Sequence, residues 1–298
     1  MLIRPATPGD APAVVALRAI VYPYLVRGVE STRRTIAGPP SGEGWAGYVA
    51  EEHGRLVGWA SASRIVTTSV PDFGQISLLH VHPEHRRRGI GSALLDATRQ
   101  HLRGLGVRRV RSFVVPDSVD FARRHGFEPG REARYSALDL TPPPPVPPTP
   151  EGLRLLPVAD LDARQVYEAD VAAAADEPGD VPVDQVSYDY WRYDVWDNPG
   201  LDRAASTAAV AGPTVVAFSL VARDGGRAWS DMTATRPEHR GRGLALLVKS
   251  AALRRAAATG ATVAYTANDG ANAPMLAVNT RLGYRPVASQ FSCLATLD

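Results

Sequence analysis

The sequence predicts an α+β protein built from two tandem copies of one fold, each a mixed, mostly antiparallel sheet flanked by helices. Three observations predict it. Arg86-Arg87-Arg88-Gly89-Ile90-Gly91 returns as Arg240-Gly241-Arg242-Gly243-Leu244-Ala245, each copy preceded by Pro-Glu-His. An apolar-periodic helix pattern follows both copies. The 298 residues suit two domains of ordinary size, each able to bury its own core.

Element by element, each half begins with a short strand, Leu2–Arg4 or Leu153–Leu156, and a helix for which Asp10 or Asp160 is the expected N-cap. A second helical region follows. Strands are then expected around Trp45–Glu51 and Leu56–Ile65 in the first half, and around Ala204–Ala211 and Thr214–Arg223 in the second. Gly212-Pro213 is the hairpin signal of the second pair. The next strand, Gln75–Val81 or Ala228–Thr235, runs into the repeated glycine turn.

Beyond the turn, Ile90, Leu94, Ala97 and His101 recur at helical spacing, as do Leu244, Val248 and Ala251, giving each helix one stripe to lay on the sheet. A strand at Val110–Val115 or Thr262–Ala267, a further helix, and closing strands around Phe127–Leu140 and Tyr284–Leu297 complete each half. Thr141-Pro142-Pro143-Pro144-Pro145-Val146-Pro147-Pro148-Thr149-Pro150 favours polyproline II and lacks the N–H groups a ladder needs, so it reads as a connector. The expected domains are therefore 1–140 and 151–298, joined by a linker at 141–150.

The net charge of +2 conceals an asymmetry: residues 1–140 carry 19 basic and 13 acidic side chains, residues 141–298 carry 14 and 18. Lys249 is the only lysine. So small a net charge offers little attraction for polyphosphates, and Arg86-Arg87-Arg88 and Arg108-Arg109-Val110-Arg111 lack the interleaved aromatics of a nucleic-acid surface. No apolar run approaches the ~20 residues of a membrane span. A single cysteine, Cys293, and the absence of a signal-peptide pattern predict a cytoplasmic enzyme without membrane or nucleic-acid partners; its oligomeric state is left open.

Glycines at a strand-to-helix turn let backbone N–H groups approach an anion closely, and the helix N-terminus adds partial positive charge. Neither rival phosphate motif fits. A P-loop needs Gly-Lys-Ser/Thr, and a dinucleotide fingerprint needs a third glycine where Leu94 and Val248 stand.

Arg86-x-x-Gly89-x-Gly91 and Arg240-x-x-Gly243-x-Ala245 resemble the Gln/Arg-x-x-Gly-x-Gly/Ala signature of the GNAT superfamily of acyl-CoA-dependent N-acetyltransferases. Arg124-His125-Gly126-Phe127 and Arg281-Leu282-Gly283-Tyr284 look like the family's closing Leu-Gly-Phe/Tyr signature. The resemblance covers nearly the whole chain and implies acetyl-CoA as acyl donor, two tandem GNAT domains, and an enzyme of acyltransfer. It places cofactor contacts at Val81, Arg86, Arg88, Gly89 and Gly91 in the first half, and at Thr233, Thr235, Arg240, Arg242, Gly243 and Ala245 in the second. Asn268 and Asn272 stand where the family commonly contacts the pantetheine arm, and either also reads as an N-cap.

Acetyl transfer needs a neutral amine, so a base must remove a proton from a group whose pKa is near ~10. The family often carries an acid on the strand before the turn; here that position is Asp231 in the second half and Ser77 in the first. Asp231 is thus the candidate base, and a solvent-facing strand aspartate is the plainer alternative. Backbone N–H groups near Met232 and Thr233 would polarise the thioester carbonyl. The family's frequent general-acid tyrosine is Ala122 in the first half and Asn279 in the second, leaving an unprotonated thiolate or a donor such as Tyr265.

From Glu168 to Asp202 the second half carries ten carboxylates and one arginine, Arg192, interleaved with Tyr188, Tyr190, Trp191, Tyr193 and Trp196. This composition suits a small cationic amine, or simply a packed aromatic helix beside a solvated loop. His80, His82 and His85 gather at the first turn without the ligand set of a metal site, and His80 is an optional base for the first half. The expected function is acetyl transfer to a primary amine of a small cationic molecule in the second half, with the first half as an acyl-CoA-binding scaffold. Alternatives are a protein or peptide N-acetyltransferase, and a non-catalytic acyl-CoA-binding regulatory protein.

Overall fold

The computed structural model describes residues 1–174 and 177–297. Its strands are β1 (Leu2–Pro5), β2 (Ala46–Glu52), β3 (Arg55–Arg64), β4 (Phe73–Val81), β5 (Arg109–Val114), β6 (Glu128–Asp139), β7 (Arg154–Pro157), β8 (Thr207–Ala211), β9 (Thr214–Asp224), β10 (Arg227–Thr235), β11 (Val263–Asp269) and β12 (Arg285–Thr296). The helices are α1 (Ala11–Val21), α2 (Val29–Ala37), α3 (Ile90–Gly104), α4 (Val119–Arg124), α5 (Ala163–Ala174), α6 (Tyr188–Trp191), α7 (Leu244–Ala258) and α8 (Ala273–Leu282). A π-helical turn at Arg192–Trp196 extends α6.

The chain forms two compact units, but they are not cut at the proline-rich segment. The first comprises Met1–Ala133 and the terminal stretch from Ser289; the second comprises Arg134–Ala288. Within the first unit the sheet runs β1-β2-β3-β4-β5-β12, and within the second β6-β11-β10-β9-β8-β7. The strand closing each sheet therefore comes from the other half of the sequence. Phe291–Thr296 pairs antiparallel with Arg109–Val114, and Leu297 N–H donates to the Arg108 carbonyl at 2.7 Å. Leu140 N–H donates to the Thr262 carbonyl at 2.9 Å in the matching place of the second unit.

This exchange corrects the expectation that each half completes itself with its own closing strand. Phe127–Leu140 and Tyr284–Leu297 each form one long strand. The cores follow suit: Cys293 and Leu297 pack with Ile76, Leu95, Leu102 and Val110, while Leu138 and Leu140 pack with Val221, Leu253, Leu282 and Tyr284. The proline-rich segment belongs to the second unit, where Val146 packs beside Leu153 and Leu155.

The helix starts also differ from expectation. Asp10 precedes α1 but its carboxylate is taken by Arg4 (2.8 Å) and the Thr7 N–H (2.7 Å), so it makes no cap bond. In the second half a 3₁₀ turn at Val158–Asp160 delays the helix, and Asp162 replaces Asp160 as the capping residue. Asp162 accepts from Arg164 N–H (2.7 Å), and Gln165 returns a bond to the Asp162 N–H (3.1 Å), a reciprocal capping arrangement.

One irregularity in each sheet positions the site. β4 and β5 pair in parallel only from Phe73↔Arg109 to Ile76↔Ser112, and β10 and β11 only from Arg227↔Val263 to Trp229↔Tyr265. Past these points each β4-type strand carries a bulge: the register with β3 shifts between Ser77 and His80, and that with β9 between Ser230 and Thr233. Leu78 sits in the first bulge at φ +57°. A bulge bends its strand and ends pairing on one side, so in each unit the two parallel strands part and open a cleft below the turn.

Candidate active site

The repeated turn has the same backbone in both units. A 3₁₀ turn (Pro83–His85; Pro237–His239) leads to an extended arginine (Arg86; Arg240), then to positive φ at position 87 or 241 and again at 89 or 243. Gly89 at φ +80° and Gly243 at φ +73° are the N-caps of α3 and α7, and a glycine meets that conformation without strain. A Cβ at either would meet no atom within 4 Å, so the space before both helix ends is open. Neither helix has a side-chain cap.

The first N–H groups of α3 and α7 thus have no side-chain cap and open space at the capping glycine, an arrangement that fits an anion such as a diphosphate. Gly91 is under no such backbone demand, and Ala245 occupies its counterpart. Arg86 Nε donates to the Val81 carbonyl and Arg240 Nε to the Thr235 carbonyl, both at 3.2 Å, so the paired arginines brace strand end to turn. Their companions differ: Arg88 lies 3.8 Å from Glu52, which also bonds His85 Nδ1 (2.9 Å), whereas Arg242 lies 3.2 Å from His239 Nδ1. The first turn thus holds a carboxylate beside its cations.

Below the second turn, Asp231 falls within the bulge of β10, where Trp229 Nε1 donates to its Oδ1 at 3.3 Å. Two further acids share its field. Asp170 of α5 accepts from Trp191 Nε1 at 2.7 Å; burial pushes its carboxyl up to about 7, against the Trp191 bond, and the charge of Asp231 adds to the rise. Glu177, open on its outer side, is raised as well, by local desolvation and by Asp231. The three acids thus raise one another's affinity for protons, most strongly at buried Asp170. Sequence reading passed over Asp170, although its i+4 spacing from buried Val166 set it on the inner stripe of α5.

The aromatic run resolves mainly into core. Trp191 is 2 % exposed and packs with Tyr167, Tyr188 and Trp196, and the Arg164 guanidinium already covers the Tyr188 face at 4.0 Å. Several acids of the run are engaged too, Asp197 by Arg192 at 3.0 Å and Asp202 by Arg223 at 3.2 Å. Asp176 lies outside the described residues.

Thr233 is buried with its hydroxyl 2.9 Å from Ser219 Oγ, and Thr235 ends β10. Asn272 is the N-cap of α8, its Oδ1 accepting from Met275 N–H at 3.2 Å. Asn268 lies near the end of β11, beyond the last β10 pair, and its Oδ1 accepts from Asn279 Nδ2 at 2.6 Å. Asn279 Oδ1 in turn accepts from Lys249 Nζ at 2.7 Å. Tyr265 stands in the paired part of β11, with Arg227 over its ring at 5.2 Å.

The first unit presents different chemistry at the corresponding cleft. Ser77 replaces Asp231, and His80 is buried with its pKa pushed down to about 3 by desolvation and then by Arg18 and Arg86. Burial thus makes His80 a poorer proton acceptor than a free imidazole. Among the described residues no group of three His, Cys, Asp or Glu is arranged to hold a metal, and no helix is long and apolar enough to cross a membrane.

Comparison with known proteins agrees with this geometry. The acetyltransferase (GNAT) family model matches residues 20–127. Mycothiol acetyltransferase of Catenulispora acidiphila is 28 % identical over 219 residues, 68 % of this chain and 67 % of that protein. Its counterpart from Nocardioides sp. is 28 % identical over 221 residues, 69 % and 75 % of the two chains. A tandem GNAT protein from the clavulanic acid biosynthesis pathway shares the fold at a TM-score of 0.78 and 23 % identity, covering 100 % of this chain and 98 % of its own. A GCN5-related N-acetyltransferase from Sphaerobacter thermophilus does so at 0.74 and 21 %, covering 99 % and 95 %. With the duplicated turn, the split parallel strands and these likenesses in hand, residues 20–127 carry the GNAT acetyltransferase pattern, the whole chain has the fold of tandem GNAT proteins, and the protein is an acyltransferase.

Proposed function

We propose that the second unit transfers acetyl from acetyl-CoA to a primary amine of a small cationic molecule. The observation that carries this reading is Asp231 in the β10 bulge, at the parting of β10 and β11, in the company of Asp170 and Glu177. Acetyl-CoA, when bound, supplies an acyl group activated as a thioester. The chain's own residues would do the rest. N–H groups opening α7, with Arg240 and Arg242, hold the diphosphate and the neighbouring phosphate. Asp231 takes the ammonium proton, and Asp170 and Glu177 add negative potential that draws in a cationic acceptor.

Backbone N–H groups of the bulge, near Met232 and Thr233, would receive the charge that develops on the acyl oxygen. With Asn279 where the family often has tyrosine, sulfur departs with the bonding pair as thiolate and takes its proton from solvent, which a thiol pKa near ~8.5 permits. The small-molecule acceptor is supported by the curated relatives, which are named mycothiol acetyltransferases. Ser77 and the weakly basic His80 support a first unit that binds acyl-CoA without catalysis.

The test is release of CoA from acetyl-CoA across primary amines, including the amine that mycothiol acetyltransferases acetylate, with diamines, amino sugars and peptides beside it. Turnover with small cationic amines is expected. Peptides outperforming them would favour protein acetylation, and tight acetyl-CoA binding with no turnover on any amine would favour a regulatory role.

A further inference from the structure

The only lysine of the chain is inside it. Lys249, on α7, is 1 % exposed, its Nζ 2.7 Å from Asn279 Oδ1 and 5.1 Å from the Tyr284 ring centre. Asn279, 4 % exposed on α8, passes the chain on through Nδ2 to Asn268 Oδ1 at 2.6 Å. Burying an ammonium group against a neutral amide is costly, so something other than packing must keep it.

The duplicated half supplies an internal control. At the positions matching Lys249, Asn279 and Asn268, the first unit has Leu95, Ala122 and Val114, and all three pack in one apolar cluster with Ile76, Leu102 and Phe127. The fold accommodates an apolar trio there. The polar trio occurs only in the unit whose cleft also carries Asp231.

The chemistry of the chain has a direction. In its protonated form, held at pH values below about 7, Lys249 only donates, so it fixes the Asn279 oxygen toward itself, which turns the Asn279 NH₂ to the Asn268 oxygen. Asn268 is left with its own NH₂ to offer. It stands on β11 beyond Trp229↔Tyr265, where β10 and β11 no longer pair and the cleft lies. We propose that Lys249 is a positioning residue: through Asn279 it locks the Asn268 amide as a hydrogen-bond donor to the pantetheine arm of the acyl carrier. This rests on the acetyl-CoA reading above and adds to it a residue three hydrogen bonds away from the ligand.

Calorimetry separates this role from a structural one. CoA and the pantetheine-free fragment 3′-phospho-ADP are titrated into a full-length chain carrying Gly89→Asp, so that the second unit is read alone. Lys249→Met should weaken CoA by about five- to tenfold and leave the fragment within about twofold, as loss of one oriented hydrogen bond implies. Asn279→Ala should reproduce the effect, and adding Lys249→Met to Asn268→Ala should weaken CoA no further. Thermal unfolding guards against misfolding: Lys249→Met and the triple variant Lys249→Leu, Asn279→Ala, Asn268→Val should melt no lower than the parent.

Equal CoA affinity in Lys249→Met and parent overturns the inference alone. So do equal losses for CoA and fragment, a lowered melting temperature, or multiplied losses in the double variant. If the parent binds neither CoA nor fragment, the acetyl-CoA reading of the second unit falls, and the inference falls with it.

Discussion

The N–H of Leu297 donates to the carbonyl of Arg108 at 2.7 Å, which makes the last described residue of the chain part of the first unit's sheet. With Leu140 bonded to Thr262 in the same manner, the halves exchange closing strands, and neither contains all of its own core.

A chain ending at Ala288 therefore loses the strand beside β5 together with Cys293 and Leu297 from the core around Ile76. Removing two core side chains and a ladder costs on the order of 5 kcal/mol or more, comparable with the whole stability of a domain. The truncated chain, and residues 1–140 alone, should show no cooperative unfolding of the first unit by circular dichroism. A fragment of 1–140 that melts as sharply as the full chain would show that the exchange is dispensable.

Asp231→Asn keeps the shape of the bulge and removes the proton acceptor. Turnover at saturating acetyl-CoA should fall by about 10²- to 10⁴-fold, the usual contribution of general base catalysis, with acetyl-CoA affinity within about twofold. Ser77→Ala, at the same position of the first unit, should change turnover less than twofold. Wild-type rates from Asp231→Asn would move the base elsewhere, with Asp170 next to be tested.

Two buried groups give stability an unusual pH course. The Asp170 carboxyl is raised to about 7 by burial, so between its unfolded value near 3.8 and about 7 the folded chain binds more protons and stability falls as pH rises. Burial lowers Lys249 from 10.5 to about 7, so from about 7 to 10.5 the unfolded chain binds more protons and stability rises with pH. Together they place a minimum near pH 7. In denaturant titrations Asp170→Asn should flatten the acid side and Lys249→Met the alkaline side. Slopes unchanged by either variant would contradict these assignments.

Much of this architecture was legible in the residues. Ala228–Thr235 against Arg227–Thr235, and Gly243 before α7, show how hydrophobic runs and one glycine turn define the strand-turn-helix frame. The strand exchange was not legible, because Phe127–Leu140 and Tyr284–Leu297 carry similar alternating patterns and either satisfies the edge it meets. The misplaced cap has a local cause: Asp160 ends a 3₁₀ turn, and the Asp162/Gln165 pair was readable two residues on. In the site, Asp231 and Asn268 could be named from their motif spacing. Asp170 and the Lys249–Asn279 link could not, since they depend on which helix faces meet.

The central claim, that the glycine turn of the second unit holds the acyl carrier for transfer beside Asp231, is tested most directly by turnover of Gly243→Asp with acetyl-CoA and the best amine substrate. Aspartate tolerates the left-handed conformation at φ +73° but sets a negative charge where the diphosphate would lie. The account predicts that turnover falls at least about 100-fold while the melting temperature stays near that of the parent. Wild-type turnover in Gly243→Asp would contradict it.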